Sequence, residues 1–150
     1  MKKLALTAIG ALAATALTGA AVVPAMSPAA GDAKVHVKRL VSRDIDSHRL
    51  SKNHFAGAAI DRHNGHIIGY ETFTASAFPK QERALVWDSY GLKNGIISVV
   101  VRVDLASDSP VHRGRILNGT GKYHGVRGTV IARSAGQNGE KTFVTLRYHF

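Results

Sequence analysis

Three side chains near the middle of the chain have the type and spacing for acid–base chemistry. Glu71 precedes Phe73 and Ala75 at intervals of two, and Asp88 and Tyr90 follow Val86 at the same interval. In an extended strand, residues two apart share a face. Each acid therefore shares a face with apolar residues. A carboxyl group held among apolar neighbours resists ionisation, so its pKa rises and it can act as an acid or a base near neutral pH. Glu71, Asp88 and Tyr90 are the candidate catalytic residues. The competing reading turns these faces to solvent or pairs each carboxylate with an arginine. Tyr148, in phase with Val144, Leu146 and Phe150, is a candidate ligand contact, with a plain core role as its alternative.

Other chemistries find less support. The chain has no cysteine and eight scattered histidines. His63 and His66 flank Asn64-Gly65 and can face each other, but two imidazoles without a third ligand at fixed spacing do not make a metal site. No metal and no cofactor are expected. No nucleophile elbow and no Ser/His/Asp order is visible. Lys122 after Gly121 invites a phosphate-loop reading, yet Tyr123 stands where Ser or Thr is needed and Ile116 where the first Gly is needed. No helix follows to present its N-terminus to a phosphate. Asn118-Gly119-Thr120 matches a glycosylation sequon, but in a tight turn of a chain with a bacterial-type leader no glycan is expected.

The elements that must hold these residues are strands. Apolar and polar residues alternate between Val35 and Ile45, with Val35, Val37, Val41 and Ile45 read as the buried face. Further strands are expected over Phe55–Arg62, Ile67–Phe78, Arg83–Tyr90, Ile96–Leu105, Arg113–Leu117, Val126–Arg133 and Thr142–Phe150. Asn64-Gly65 between two such runs signals a hairpin. Asn94-Gly95 and Gly136-Gln137-Asn138-Gly139 mark further turns. The clearest strand puts Ile97, Val99, Val101, Val103 and Leu105 on one face. Eight strands with short turns and no helix predict an all-β fold. An open sheet of that size leaves edges exposed, and closure into an antiparallel barrel removes them. A final strand running to Phe150 suits such closure, with a β-sandwich as the alternative.

The first thirty residues read as a separate unit. Lys2 and Lys3 precede an apolar run from Leu4 to Val23, followed by Pro24 and Pro28. This is the pattern of a bacterial-type secretory signal peptide, with cleavage after Ala25 or around Ala30. A retained membrane anchor is the alternative, and the Ala-, Thr- and Gly-rich run argues against it. The absence of cysteine excludes a lipid-modified anchor. Residues 31–150 then form one secreted domain with no membrane attachment after cleavage. The leader holds two of the 20 basic residues, so the mature part carries 18 against 10 acidic ones, a net charge of +8. Such a charge favours anionic partners. However, Arg102, Arg127, Arg133 and Arg147 fall on separate strands and the longest basic cluster is Lys38-Arg39. No nucleic-acid partner is expected on that distribution.

The segment from Gly114 to Arg133 carries five glycines, a density that calls for positive φ or close approach to another backbone. Within it, Asn118-Gly119-Thr120-Gly121-Lys122-Tyr123-His124-Gly125-Val126-Arg127-Gly128 resembles the Gly-Gly-Thr-Gly-aromatic…Gly signature of the allene oxide cyclase and dirigent superfamily. The neighbours agree in order: a His-x-x-Gly-Tyr strand (His66 to Tyr70), then the long apolar strand, the glycine turn and an aromatic-ending strand. The resemblance covers about Phe55 to Phe150. Asn118 replaces the first glycine of the signature, and Tyr123 is its aromatic in place of Phe. The resemblance implies an eight-stranded calycin-like barrel with an apolar cavity, often oligomeric, and here a secreted bacterial member. It implies turn-shaping roles for Gly119, Gly121, Gly125 and Gly128. It does not carry over cyclase chemistry, because the plant cyclases' catalytic positions have no counterpart that can be placed on this chain.

Three functions follow. The first is a barrel that binds a small apolar molecule, as a monomer or homo-oligomer. The second is a metal-free cyclase or isomerase using the same cavity, with Glu71, Asp88 or Tyr90 polarising the substrate. The third is a basic extracellular protein that binds anionic polymers. A solidly filled interior would exclude the first two, and a cavity without ionisable groups would weaken the second.

Overall fold

A computed structural model describes residues 34–135 and 141–150. The leader and the Gly136–Gly139 turn lie outside the described residues. The chain forms eight strands: β1 His36–Ser51, β2 His54–His63, β3 His66–Phe78, β4 Arg83–Leu92, β5 Gly95–Asp104, β6 Val111–Gly119, β7 Arg127–Ala135 and β8 Lys141–His149. Each pairs antiparallel with the next, and β8 returns to β1 to close the barrel. Every strand thus has a neighbour on both sides, although the Asp44–Ser51 half of β1 extends past β8 and pairs with β2 alone.

Period-two alternation sets the inward face of most strands. Ile97, Val99 and Val101 of β5 are at most 3% exposed, and Val130, Val144 and Leu146 complete the same core. Leu92, Ile97, Tyr123, Val126 and Tyr148 belong to this packed cluster and lie toward the end of the barrel where the odd-numbered strands begin. The glycine segment closes that end. After β6 the chain makes a short 3₁₀ turn over Gly121–Tyr123. The Lys122 amide donates to the Asn94 carbonyl at 2.8 Å and the Thr120 amide to the Ile96 carbonyl at 2.9 Å. Gly121, at φ 57°, sits so close that a Cβ would overlap the Asn94 carbonyl oxygen; a Cβ on Gly128, at φ 151°, would overlap that of Arg147. Positive φ and backbone contact together explain why glycine stands at both positions. The turn thereby buries Tyr123 as a plug, edge-on to Tyr148 at 6.1 Å.

Two expected faces are corrected. Val35, Val37 and Ile45 are 56%, 48% and 57% exposed, while Leu40 and Ser42 are buried. β1 therefore turns His36, Lys38, Leu40 and Ser42 inward; hydrophobic count misreads it because the interior it faces is polar. Phe150 is also exposed, since β8 ends at His149, and Leu105 lies beyond the end of β5.

Candidate active site

The cavity lies toward the other end of the barrel. Beyond the layer of Ile97 and Leu146 the inward side chains stop meeting across the axis and leave a space of about 310 Å³. Phe73, Val86, Val101, Val103 and Ala132 form its apolar wall, and Ser42, Asp44, Glu71, Asp88, Tyr90, His112, Ser134 and Thr142 supply its polar lining. Small residues make the room. Gly57 of β2 has no Cβ because one would overlap the Phe73 ring, which occupies that position.

The structure brings Glu71, Asp88 and Tyr90 into one wall. Glu71 on β3 pairs in register with Tyr90 on β4, and Phe73 pairs with Asp88, so the two acids are diagonal neighbours across one ladder. All three are buried. On the far side, Ser42 of β1 pairs with Asp61 of β2. The Ser42 Oγ lies 2.6 Å from Asp61 Oδ1 and 2.5 Å from Glu71 Oε2. A hydroxyl has one hydrogen. It can donate to only one of these carboxyl groups, so the other must carry a proton and donate to Oγ.

Electrostatics selects Glu71 as the protonated partner. Burial, reinforced by the charge of Asp88, pushes its pKa up to about 9, although the Ser42 contact pulls the other way. Asp88 is raised only to about 6: burial raises it, while the neighbouring Glu71 carboxyl favours the charged form. Asp61 is also raised by burial, opposed by its hydrogen bond from Ser42 and by the neighbouring Glu71 carboxyl. Burial and the three surrounding carboxyl groups push Tyr90 well above the usual phenol range, so it stays a neutral donor. Among the described residues the one ion pair joins His48 to Asp46, both exposed. The interior acids have no arginine or lysine partner, and the competing reading of Glu71 and Asp88 as solvent-facing or arginine-paired is set aside. At neutral pH the site holds a carboxylic acid, Glu71, beside a mostly ionised carboxylate, Asp88.

Tyr148 lies apart from this cavity. It belongs to the plug, stacked on His36 at 5.4 Å and lining a shallow depression with Lys38, His63 and Ile68. His63 and His66 do pair across their turn, but among the described residues no group of three metal-ligating side chains forms. Sequence reasoning missed Ser42 and Asp61. Ser42 was lost with the misread face of β1. Asp61 left a signal: it alternates with Gly57 and Ala59, and an acid in phase with small residues marks a buried polar position beside open space.

No known family profile matches the sequence, and no curated protein does. Solved structures do match in shape. The pterocarpan synthase dirigent protein GePTS1 superposes with a TM-score of 0.63 at 15% identity, covering 87% of this chain and 99% of that one. The Diels-Alderase AbmU from Streptomyces koyangensis gives 0.63 at 14%, covering 77% and 63%, and a pyocyanin demethylase gives 0.58 at 14%, covering 75% and 99%. The chain shares the closed eight-stranded barrel fold of these proteins. At these identities the likeness speaks for the fold alone, which agrees with the architecture that the glycine signature implied.

Proposed function

We propose that this protein is a secreted barrel enzyme that binds a small, largely apolar molecule and catalyses a proton-transfer isomerisation or cyclisation. The observation that carries this reading is the placement of two buried carboxyl groups, Glu71 and Asp88, diagonal across one ladder and without a basic partner among the described residues, in one apolar-walled cavity where burial raises both unequally. Paired titratable groups whose environments push their pKa values apart define an acid and a base. Asp88 takes a proton from a carbon acid next to a carbonyl. Glu71, with Tyr90, donates to the carbonyl oxygen as negative charge develops there. Return of the Asp88 proton to a different carbon completes an isomerisation; in a cyclisation the enol carbon attacks an internal electrophile, which takes the Asp88 proton, and in both the enol O–H proton goes back to Glu71 as the carbonyl re-forms. Ser42 and Asp61 hold the Glu71 carboxyl in place and link it to a second acid. The cavity lies at the small end of the range for ligand pockets, which suits a compact substrate. The same scaffold serves in a named Diels-Alderase and a named pterocarpan synthase, and this supports a cavity that acts on small molecules.

The test is deuterium incorporation. Apolar cyclic enones incubated in D₂O with the protein should acquire deuterium at the saturated carbon flanking the carbonyl or at the γ carbon, read by mass spectrometry. Asp88→Asn should abolish the exchange while leaving enone binding intact. Binding without any exchange, in wild type and variant alike, would reduce the protein to a carrier of small apolar ligands.

A further inference from the structure

The arginines that fall on separate strands in the sequence form a continuous band around about half of the barrel's outer wall. Arg102 of β5, Arg113 and Arg115 of β6, Arg133 of β7, Arg147 of β8 and Arg39 of β1 are all exposed, on strands that are consecutive around the barrel. The register arranges them in rungs. One rung runs Arg102, Arg113, Ile131, Thr145, Arg39, and the next runs Val100, Arg115, Thr129, Arg147, Val37. On the other side of the first rung, Arg133 stands between Val111 and Phe143. Strand geometry puts neighbouring groups on this wall about 5 to 10 Å apart. Among the described residues none of these arginines has a carboxylate partner. Asp104, two residues beyond Arg102 on the same face of β5 and opposite Arg83, is the acid that borders this wall at one end.

This is not a general solvating coat. The outward positions between Tyr70 and Ser76 on β3, and Leu85, Trp87 and Ser89 on β4, carry no charge. Placing Arg102 directly opposite Arg113 also costs stability, because like charges across a ladder repel. An anionic partner would reverse that sign. Arginine suits oxyanions in particular, since its planar fork binds phosphate oxygens in pairs.

We propose that this wall binds a linear phosphate polymer lacking nucleobases. A convex wall inserts no element into a nucleic-acid groove, and base stacking needs a row of aromatics. These rungs offer Phe143 alone. A flexible chain of phosphates instead meets guanidinium groups along and across the strands, one after another. The site is separate from the cavity, whose acids face inward, and it does not depend on the reading of Glu71 and Asp88.

The experiment is titration of the purified protein with long-chain inorganic polyphosphate over a salt series. Contact with six phosphates predicts a slope of log affinity against log salt of about −4. The Arg113→Ser, Arg115→Ser, Arg147→Ser triple variant should bind about tenfold more weakly or worse, with the slope reduced by about 2. Its melting temperature should hold or rise, since one opposed pair is removed. Orthophosphate should compete poorly, because it lacks the linkage between sites. Three results overturn the proposal: no polyphosphate binding at low salt, unchanged binding by the triple variant, or tighter binding of single-stranded DNA with the same number of phosphates.

Discussion

Glu71 and Asp88 stand diagonally across the β3–β4 ladder, and burial does not raise them equally. Glu71 is raised to about 9 and Asp88 to about 6. Two acids that close cannot both ionise easily, so the pair titrates in two steps that belong to it jointly. Between the steps one proton is held and one site is free to take another. This is the working state of an acid–base pair.

The rate of enone deuteration should therefore be bell-shaped in pH. It should rise through about pH 6 as the first proton leaves and fall through about pH 9 as the second does. Asp88→Asn should lower kcat by about 10²- to 10⁴-fold. Glu71→Gln keeps the shape of the neutral acid but cannot give up a proton, so it should lower kcat and remove the alkaline limb. Stopped-flow or quench measurements across pH 5–10 check both.

Stability should fall from mildly acidic pH into mild alkali. Glu71 and Asp88 have folded-state pKa values above their unfolded ones, so the folded state binds more protons than the unfolded state between those values. Their contribution is fully present below the unfolded carboxylate range and is lost as pH rises through about 6 and then about 9. The urea midpoint should fall steadily from pH 5 to pH 9. Each pKa unit realised corresponds to about 1.4 kcal/mol. Glu71→Gln should flatten the upper part of that profile.

Much of this site is legible in the sequence. Glu71, Asp88 and Tyr90 lie in phase with apolar residues on strands whose period is plain, and β5 and β8 announce their buried faces in the same way. β1 did not. Its outward residues Val35, Val37 and Ile45 are more apolar than its inward ones, because Ser42 faces a polar interior and the outer wall mixes valines with arginines. Hydrophobic phase reports the direction of the core only where the core is apolar. The basic wall was hidden for a related reason: a charge pattern running across strands has no trace along the chain, and only the register assembles it.

Ser42→Ala should destabilise the protein out of proportion to the atom removed. Asp61 is fully buried, and its Oδ2 already has no hydrogen-bond partner. Removing the Ser42 hydroxyl leaves Oδ1 without its 2.6 Å donor as well. An unsatisfied buried group costs about 1–3 kcal/mol, more when charged. Ser42→Ala should lower the urea midpoint accordingly. Adding Asp61→Asn should recover part of the loss, since an amide carries no charge to strand.

Ala132→Phe should separate binding from folding. Ala132 lines the cavity from β7, opposite Val144 in register. A benzyl group there projects into space that is otherwise open, so the packing cost should stay within about 1–3 kcal/mol. The occupied volume would come out of a cavity of about 310 Å³, enough to displace a compact ligand. The variant should melt cooperatively, keep the β-sheet circular dichroism spectrum and lose enone binding and exchange together. Retained exchange at the wild-type rate would move the chemistry out of this cavity, and with it the roles given to Glu71 and Asp88.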